Sequence, residues 1–282
     1  VATGGIISSG AQSLVIGGEF TTDSSTVLRF DLGPKGVLDP LQVAQSVVGG
    51  PSAIVTLGSA MLAIDAPNGA PGQFILLLND GSEPINGTFQ GLAEGSTVMV
   101  GSDTYAITYA GGDGNDVALR RTGGPTPTIA ANGRSATYLD VDGDSVTVKI
   151  TKASLAADHF IMRDAGDGRA QLEILDFLLD PQFAKTNITF QVKEDGGDGM
   201  VNVGGISATG IDLGSVKVPG DLGFIDAGDG VPATPAIKSL NVASMGVEGF
   251  ATGASDLRSD IDGTLVRAKI AGDLKHAYIF VF

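Results

Sequence analysis

Cysteine and tryptophan are absent from this 282-residue chain, and aromatic residues make up only 6% of it. Without cysteine there is no disulfide framework and no thiolate metal site, whichever compartment the chain occupies. Bases are also scarce: Lys and Arg number 17 against 32 acids, a formal net charge of −15. A surface of that sign repels a phosphate backbone, which excludes nucleic acid as an expected partner. Long apolar runs are missing too. The longest candidate, "FILLL" at Phe74 to Leu78, is far short of the ~20 residues that cross a bilayer as a helix, so no transmembrane segment is expected.

Glycine is abundant, at 42 residues, and β-branched residues recur in short alternating runs. In "TVLRFDL" Leu28, Phe30 and Leu32 share one face and Val27, Arg29 and Asp31 the other, the pattern of a strand with one buried side. Similar runs include "AIVTL", "YAITY", "DVALR", "VTVKI", "ITFQV" and "GSVKV", separated by Gly, Asp, Asn and Pro clusters suited to tight turns. Helical spacing is confined to "LDPLQVAQSV", "ASLAADHF" and "LLDPQFAKT", each with room for a turn or two. The class is therefore all-β. A Gly/Pro cluster, "RRTGGPTPTIAANG", divides the chain into units 1–122 and 125–282.

The second unit repeats itself. Lys217, Gly220, Asp221 and Leu222 in "VKVPGDLGFI" correspond to Lys269, Gly272, Asp273 and Leu274 in "AKIAGDLKHA", with "IKSLNVAS" as another alternation between them. The triplet Gly-Asp-Gly also begins at Gly166, Gly197 and Gly228. Periods of this size suggest stacked coils, each burying its inner face on its neighbours. The expected architecture is a right-handed parallel β-helix, that is a β-solenoid, with room for a sandwich-like insert over 125–192. A β-sandwich is the rival.

Two acidic, glycine-rich turns are candidate cation sites. "GGDGNDVAL" offers Asp113, Asn115 and Asp116 in the G-G-x-G-x-D pattern, although calcium in such repeats is shared between tandem copies and here there is one. "DVDGDS" offers Asp140, Asp142 and Asp144 at alternate positions, as an EF-hand loop begins, but glycine stands fourth rather than sixth and Thr151 occupies position twelve, where a Glu is required. Both read first as turns with capped backbone amides, and Ca²⁺ as the alternative. No catalytic constellation stands out: G-x-S-x-G, G-x-G-x-x-G and Walker A patterns are absent, and His159 and His276 lack metal-ligand spacing.

The first unit, through "STVLRFDLG", "NDGSEPINGTFQGLAEG" and "YAGGDGNDVAL" in that order, resembles the closing part of autotransporter-associated β-strand repeat proteins over roughly 12–122. The second, with "TYLDVDGDSVTVKITK" and "GMVNVGGISATGIDLGSVKVPGDLGFIDAGDG", looks like a module found beside such repeats. The resemblance implies export and a bacterial extracellular or cell-surface location, and brings no catalytic site. With an opening at Val1 and a final apolar alternation "HAYIFVF", the chain reads as a segment of something longer. The expected function is that of a non-catalytic structural segment, a stalk, scaffold or matrix element, with self-association through strand edges or chain ends as its homo-oligomeric contact. An adhesin or module binding cell-surface or matrix glycans is the alternative, and a polysaccharide-active β-helix enzyme a more distant one.

Overall fold

A computed structural model describes residues 5–9, 14–32, 41–44, 54–66, 70, 72–79, 83–111, 114–177, 181–254 and 257–282. The fold is all-β; among the described residues the helices are single 3₁₀ turns at Ala157–His159, Pro181–Phe183 and Gly249–Thr252. The chain divides into two compact units, Val1–Gly123 and Gly124–Phe282, each with its own core.

In the first unit the strands are β1 (Gly5–Ser9), β2 (Val15–Gly17), β3 (Glu19–Thr21), β4 (Thr26–Asp31), β5 (Leu41–Ala44), β6 (Ile54–Thr56), β7 (Met61–Asp65), β8 (Gln73–Asn79), β9 (Thr97–Val100), β10 (Asp103–Gly111) and β11 (Asp116–Thr122). Through β8 the chain visits three sheets in rotation. β1, β4 and β7 pair in parallel, as do β2, β5 and β8, and β3 pairs in parallel with β6, whose Thr56 bridges onward to Asn86. The alternation in β4 is what turns a strand inward: Thr26, Leu28 and Phe30 are buried while Arg29 faces solvent. Antiparallel strands β9, β10 and β11 then follow, and β11 pairs with β8 to finish the second sheet. Leu41–Ala44, part of the stretch with helical spacing, is strand β5. Leu41 and Val43 are both buried, and pairing to β2 and β8 on either side outweighs the short-range preference.

The second unit opens with antiparallel strands. These are β12 (Thr128–Ile129), β13 (Ser135–Leu139), β14 (Ser145–Ile150), the hairpin of β15 (Phe160–Gly166) with β16 (Arg169–Asp176), and β17 (Ile188–Lys193). From β17 onward the chain alternates between two parallel stacks. β18 (Val203–Thr209) lies on β16, and β19 (Leu213–Gly228) serves both stacks: its first part pairs with β17 and its second with β18. β20 (Ile237–Met245) and β22 (Ala268–Ile270) extend the first stack. β21 (Arg258–Ile261) and β23 (Tyr278–Val281) extend the second. In the first stack Ile150, Ile188, Val216 and Leu240 form one buried in-register row, an apolar ladder that ends on the exposed Ala268 of β22.

The change of direction within β19 falls at Pro219-Gly220. A Cβ on Gly220 would run into the backbone carbonyl of Val201, so the bend needs glycine there for close approach. The sequence repeat follows the parallel pairing. Lys217 is in register with Asn241 and Asn241 with Lys269, while Leu222 pairs with Met245, which bridges to Leu274. The Gly-Asp-Gly triplets do not stack: Gly166 ends β15, Gly197 lies in the turn after β17, and Gly228 ends β19.

Candidate functional site

Of the residues singled out for cation binding, Asp140, Asp142 and Asp144 come together. They occupy the turn between β13 and β14, which is closed by Asp140 N–H donating to the Asp144 carbonyl at 3.0 Å and by Gly143 with φ +103°. Alternation through the turn buries Asp140 and Asp144 and exposes Asp142, and one carboxylate oxygen from each lies within 4.8 Å of the others.

These carboxylates already have work. Asp144, fully buried, accepts the backbone N–H groups of Asp195 and Gly197 on Oδ1 at 2.8 and 2.9 Å and that of Gly199 on Oδ2 at 2.7 Å. Asp142 Oδ2 accepts Asp198 N–H at 2.9 Å, and Asp140 Oδ1 accepts the N–H groups of Gly143 and Asp144 at 3.1 and 2.8 Å. The acidic turn is therefore the receptor for the glycine-rich turn Asp195–Gly199, whose successive amides point at it as a nest points at an anion. A Cβ on Gly197 would overlap the Asp142 carboxylate, so glycine sets the distance between the two turns.

Burial pushes Asp140 up to about 7, helped by a hydrogen bond with the Asp142 carboxyl, and the same hydrogen bond holds Asp142 below the usual carboxylate range. These opposite shifts favour a protonated Asp140 beside an ionised Asp142. Calcium asks for six to eight oxygens; with both Asp144 oxygens and one each of Asp140 and Asp142 committed to amides, the turn is better suited to a proton than to that ion.

Tyr138, two residues before Asp140, has a buried hydroxyl with no hydrogen-bond partner among the described residues, and burial raises its pKa. Its side chain lines a cavity of about 280 Å³ together with Thr126, Thr137, Met162 and Ala170.

The other constellation is a hairpin turn in the first unit. Gly114 N–H donates to Gly111 O at 2.8 Å, and a register shift between Thr108 and Gly111 marks a bulge in β10. Asp116, buried at the start of β11, accepts Asn79 N–H on Oδ1 at 2.7 Å and so ties the hairpin to the end of β8. Asn115 is buried and donates to Glu83 O at 3.4 Å, a carbonyl that also receives the Asn79 amide at 2.7 Å. Asp113 lies outside the described residues.

Two features escaped the sequence reading. Nothing in "EDGGDGM" announces that its amides converge on Asp144, because backbone donors carry no residue signature. Asp221, noticed only as part of a repeat, is a buried cap: it accepts Ser244 Oγ at 2.6 Å and the N–H groups of Val247 and Glu248 at 3.2 and 3.0 Å. His159 accepts Ala156 N–H on Nδ1 and packs against Phe183 and Phe177, so it is part of an aromatic cluster. No protein-family model, curated protein or solved structure matches the chain.

Proposed function

We propose that the chain is a non-catalytic structural segment, a right-handed parallel β-helix, acting as stalk, scaffold or matrix element in a large secreted or cell-surface bacterial protein. The observation that supports this best is the repeated return to parallel pairings: three sheets in rotation through β1–β8, and two parallel stacks of one sheet, joined through β19, from β17 to β23. Such stacking makes stability a sum of neighbour contacts along an axis, so length and stiffness come from backbone ladders and inward apolar rows. The acidic residues fit the same reading, since Asp144, Asp221 and Asp116 each accept at least one backbone amide from another turn or strand.

Two measurements test it. Incubation with neutral and acidic polysaccharides is expected to release no reducing ends above a heat-denatured control; steady release would make the chain an enzyme. Antibody labelling of intact cells that produce the parent protein is expected to find the segment outside the cytosol, and signal only after lysis would overturn the location.

A further inference from the structure

The outward side of the first stack in the second unit carries a row in unbroken register. Ser135 faces Lys149, Lys149 faces Thr189, Thr189 faces Lys217, Lys217 faces Asn241, and Asn241 faces Lys269. Lysine thus recurs on every second strand, and strands ~4.8 Å apart give a repeat of about 10 Å between lysine Cα atoms. Lys149, Lys217, Asn241 and Lys269 are exposed, while their neighbours along the strands, such as Val148, Val216 and Leu240, point into the core. Around the row the outward residues include the hydroxyls and amides of Thr137, Thr147, Gln191, Ser215 and Ser239, and beyond them Leu139 and a further lysine, Lys193.

What sets this face apart is charge. In a chain with nearly twice as many acids as bases, β13, β14, β17, β20, β22 and the 213–218 part of β19 contain no Asp or Glu. None of the three lysines forms an ion pair with a described residue. The second stack is the opposite: Arg258 pairs with Asp260 at 2.7 Å, Arg169 with Asp167 at 3.1 Å, and Arg163 with Glu173 at 3.5 Å. One stack neutralises its cations locally and the other leaves Lys149, Lys217 and Lys269 without an ion pair to a described residue.

We propose that this face binds a linear acidic polysaccharide laid across the strands, its carboxylates on Lys149, Lys217 and Lys269 and its hydroxyls against the Thr, Ser, Asn and Gln side chains between them. Sparse, regular cations suit a polymer whose charges are themselves spaced by sugar rings. Nucleic acid carries a charge every ~3.4 Å along each strand, much denser than this row, so most of its phosphates would be left unmatched. The face also lacks the outward aromatic rings on which single-stranded bases stack. The proposal goes beyond the scaffold reading and stands without it, because a binding face requires neither a stalk nor a particular location.

The test is binding by calorimetry to polygalacturonate, to neutral dextran of matched length, and to a single-stranded DNA oligonucleotide. Polygalacturonate is expected to bind, dextran not to bind, and the affinity to fall roughly thirtyfold between about 50 and 200 mM salt, as for about three ion contacts. The K149E/K217E/K269E variant should lose at least tenfold in affinity with an unchanged melting curve, K149R/K217R/K269R should retain binding, and R258E should leave it unchanged. Equal binding by the charge-reversed variant, no preference over dextran, or tighter binding of DNA would overturn the proposal. So would sedimentation showing self-association abolished by the same three changes without polygalacturonate binding, since the face would then meet a second copy.

Discussion

Asp144 accepts the backbone N–H of Gly199 at 2.7 Å across more than fifty positions of sequence, while its other oxygen holds Asp195 and Gly197. A fully buried carboxylate with three amide donors is a joint between two turns, and removing it strands those donors. Asp144→Ala is expected to destabilise the second unit by about 2–4 kcal/mol in urea unfolding. Asp144→Asn, which keeps one acceptor oxygen, should lose less. Limited proteolysis should cut the alanine variant first within Asp195–Gly199.

Asp140 gives stability a pH dependence whose sign is fixed. Its folded pKa, pushed up to about 7 from the ordinary 3.8, means that between those values the folded chain holds a proton that the unfolded chain does not. Its contribution to stability is therefore greatest below the unfolded value and is lost as pH rises through about 7. Asp142, held low, acts in the other direction only in acid, where its contribution is lost as pH falls below the usual carboxylate range. Asp140→Asn cannot ionise. The melting temperature of the native chain is expected to drop relative to that variant between pH 5 and pH 8, and parallel curves would remove the assignment.

The strands and part of their stacking were legible in the sequence. Alternation in "TVLRFDL" places Leu28, Phe30 and Leu32 in the core, and the correspondence of Lys217 with Lys269 is realised as one row two strands apart. The three-sheet rotation of the first unit was not legible at that level. Its strands are short, and parallel partners such as Val27 and Met61 are brought together by winding that no local pattern records. The Gly-Asp-Gly interval misled for a related reason: glycine-aspartate turns recur wherever a strand must end, so their spacing reports turns rather than coils. At the candidate site, Asp140, Asp142 and Asp144 were visible as a cluster, whereas their partners were backbone amides.

Calcium is expected to change little at this cluster. Both oxygens of Asp144, and one each on Asp140 and Asp142, are already held by amides, which leaves too few carboxylate oxygens for the usual cage. Melting at pH 6 with excess EDTA and with millimolar CaCl₂ should differ by less than about 1 °C, well under the ~2–4 °C that one kcal/mol produces in a unit of this size. A larger, saturable rise that vanishes in Asp142→Asn would show that the turn binds the ion and overturn this expectation.

Two glycines separate close approach from backbone conformation. Gly220, at the bend of β19, has no positive φ, and a Cβ there would collide with the carbonyl of Val201. Gly210 has φ +76° with open space around the position of its missing Cβ. Gly210→Ala should cost about 1–2 kcal/mol, the left-handed penalty alone. Gly220→Ala must move backbone against backbone inside a parallel ladder, where relaxing one coil shifts the next; about 1–3 kcal/mol is expected from overpacking, with Leu222 and Met245 displaced beside it. Hydrogen exchange distinguishes the two. Gly210→Ala should raise exchange only in its own turn, whereas Gly220→Ala should raise it along β18, β19 and β20 together, and confinement of the second effect to residues next to Gly220 would show that the coils do not transmit strain as the stacked arrangement requires.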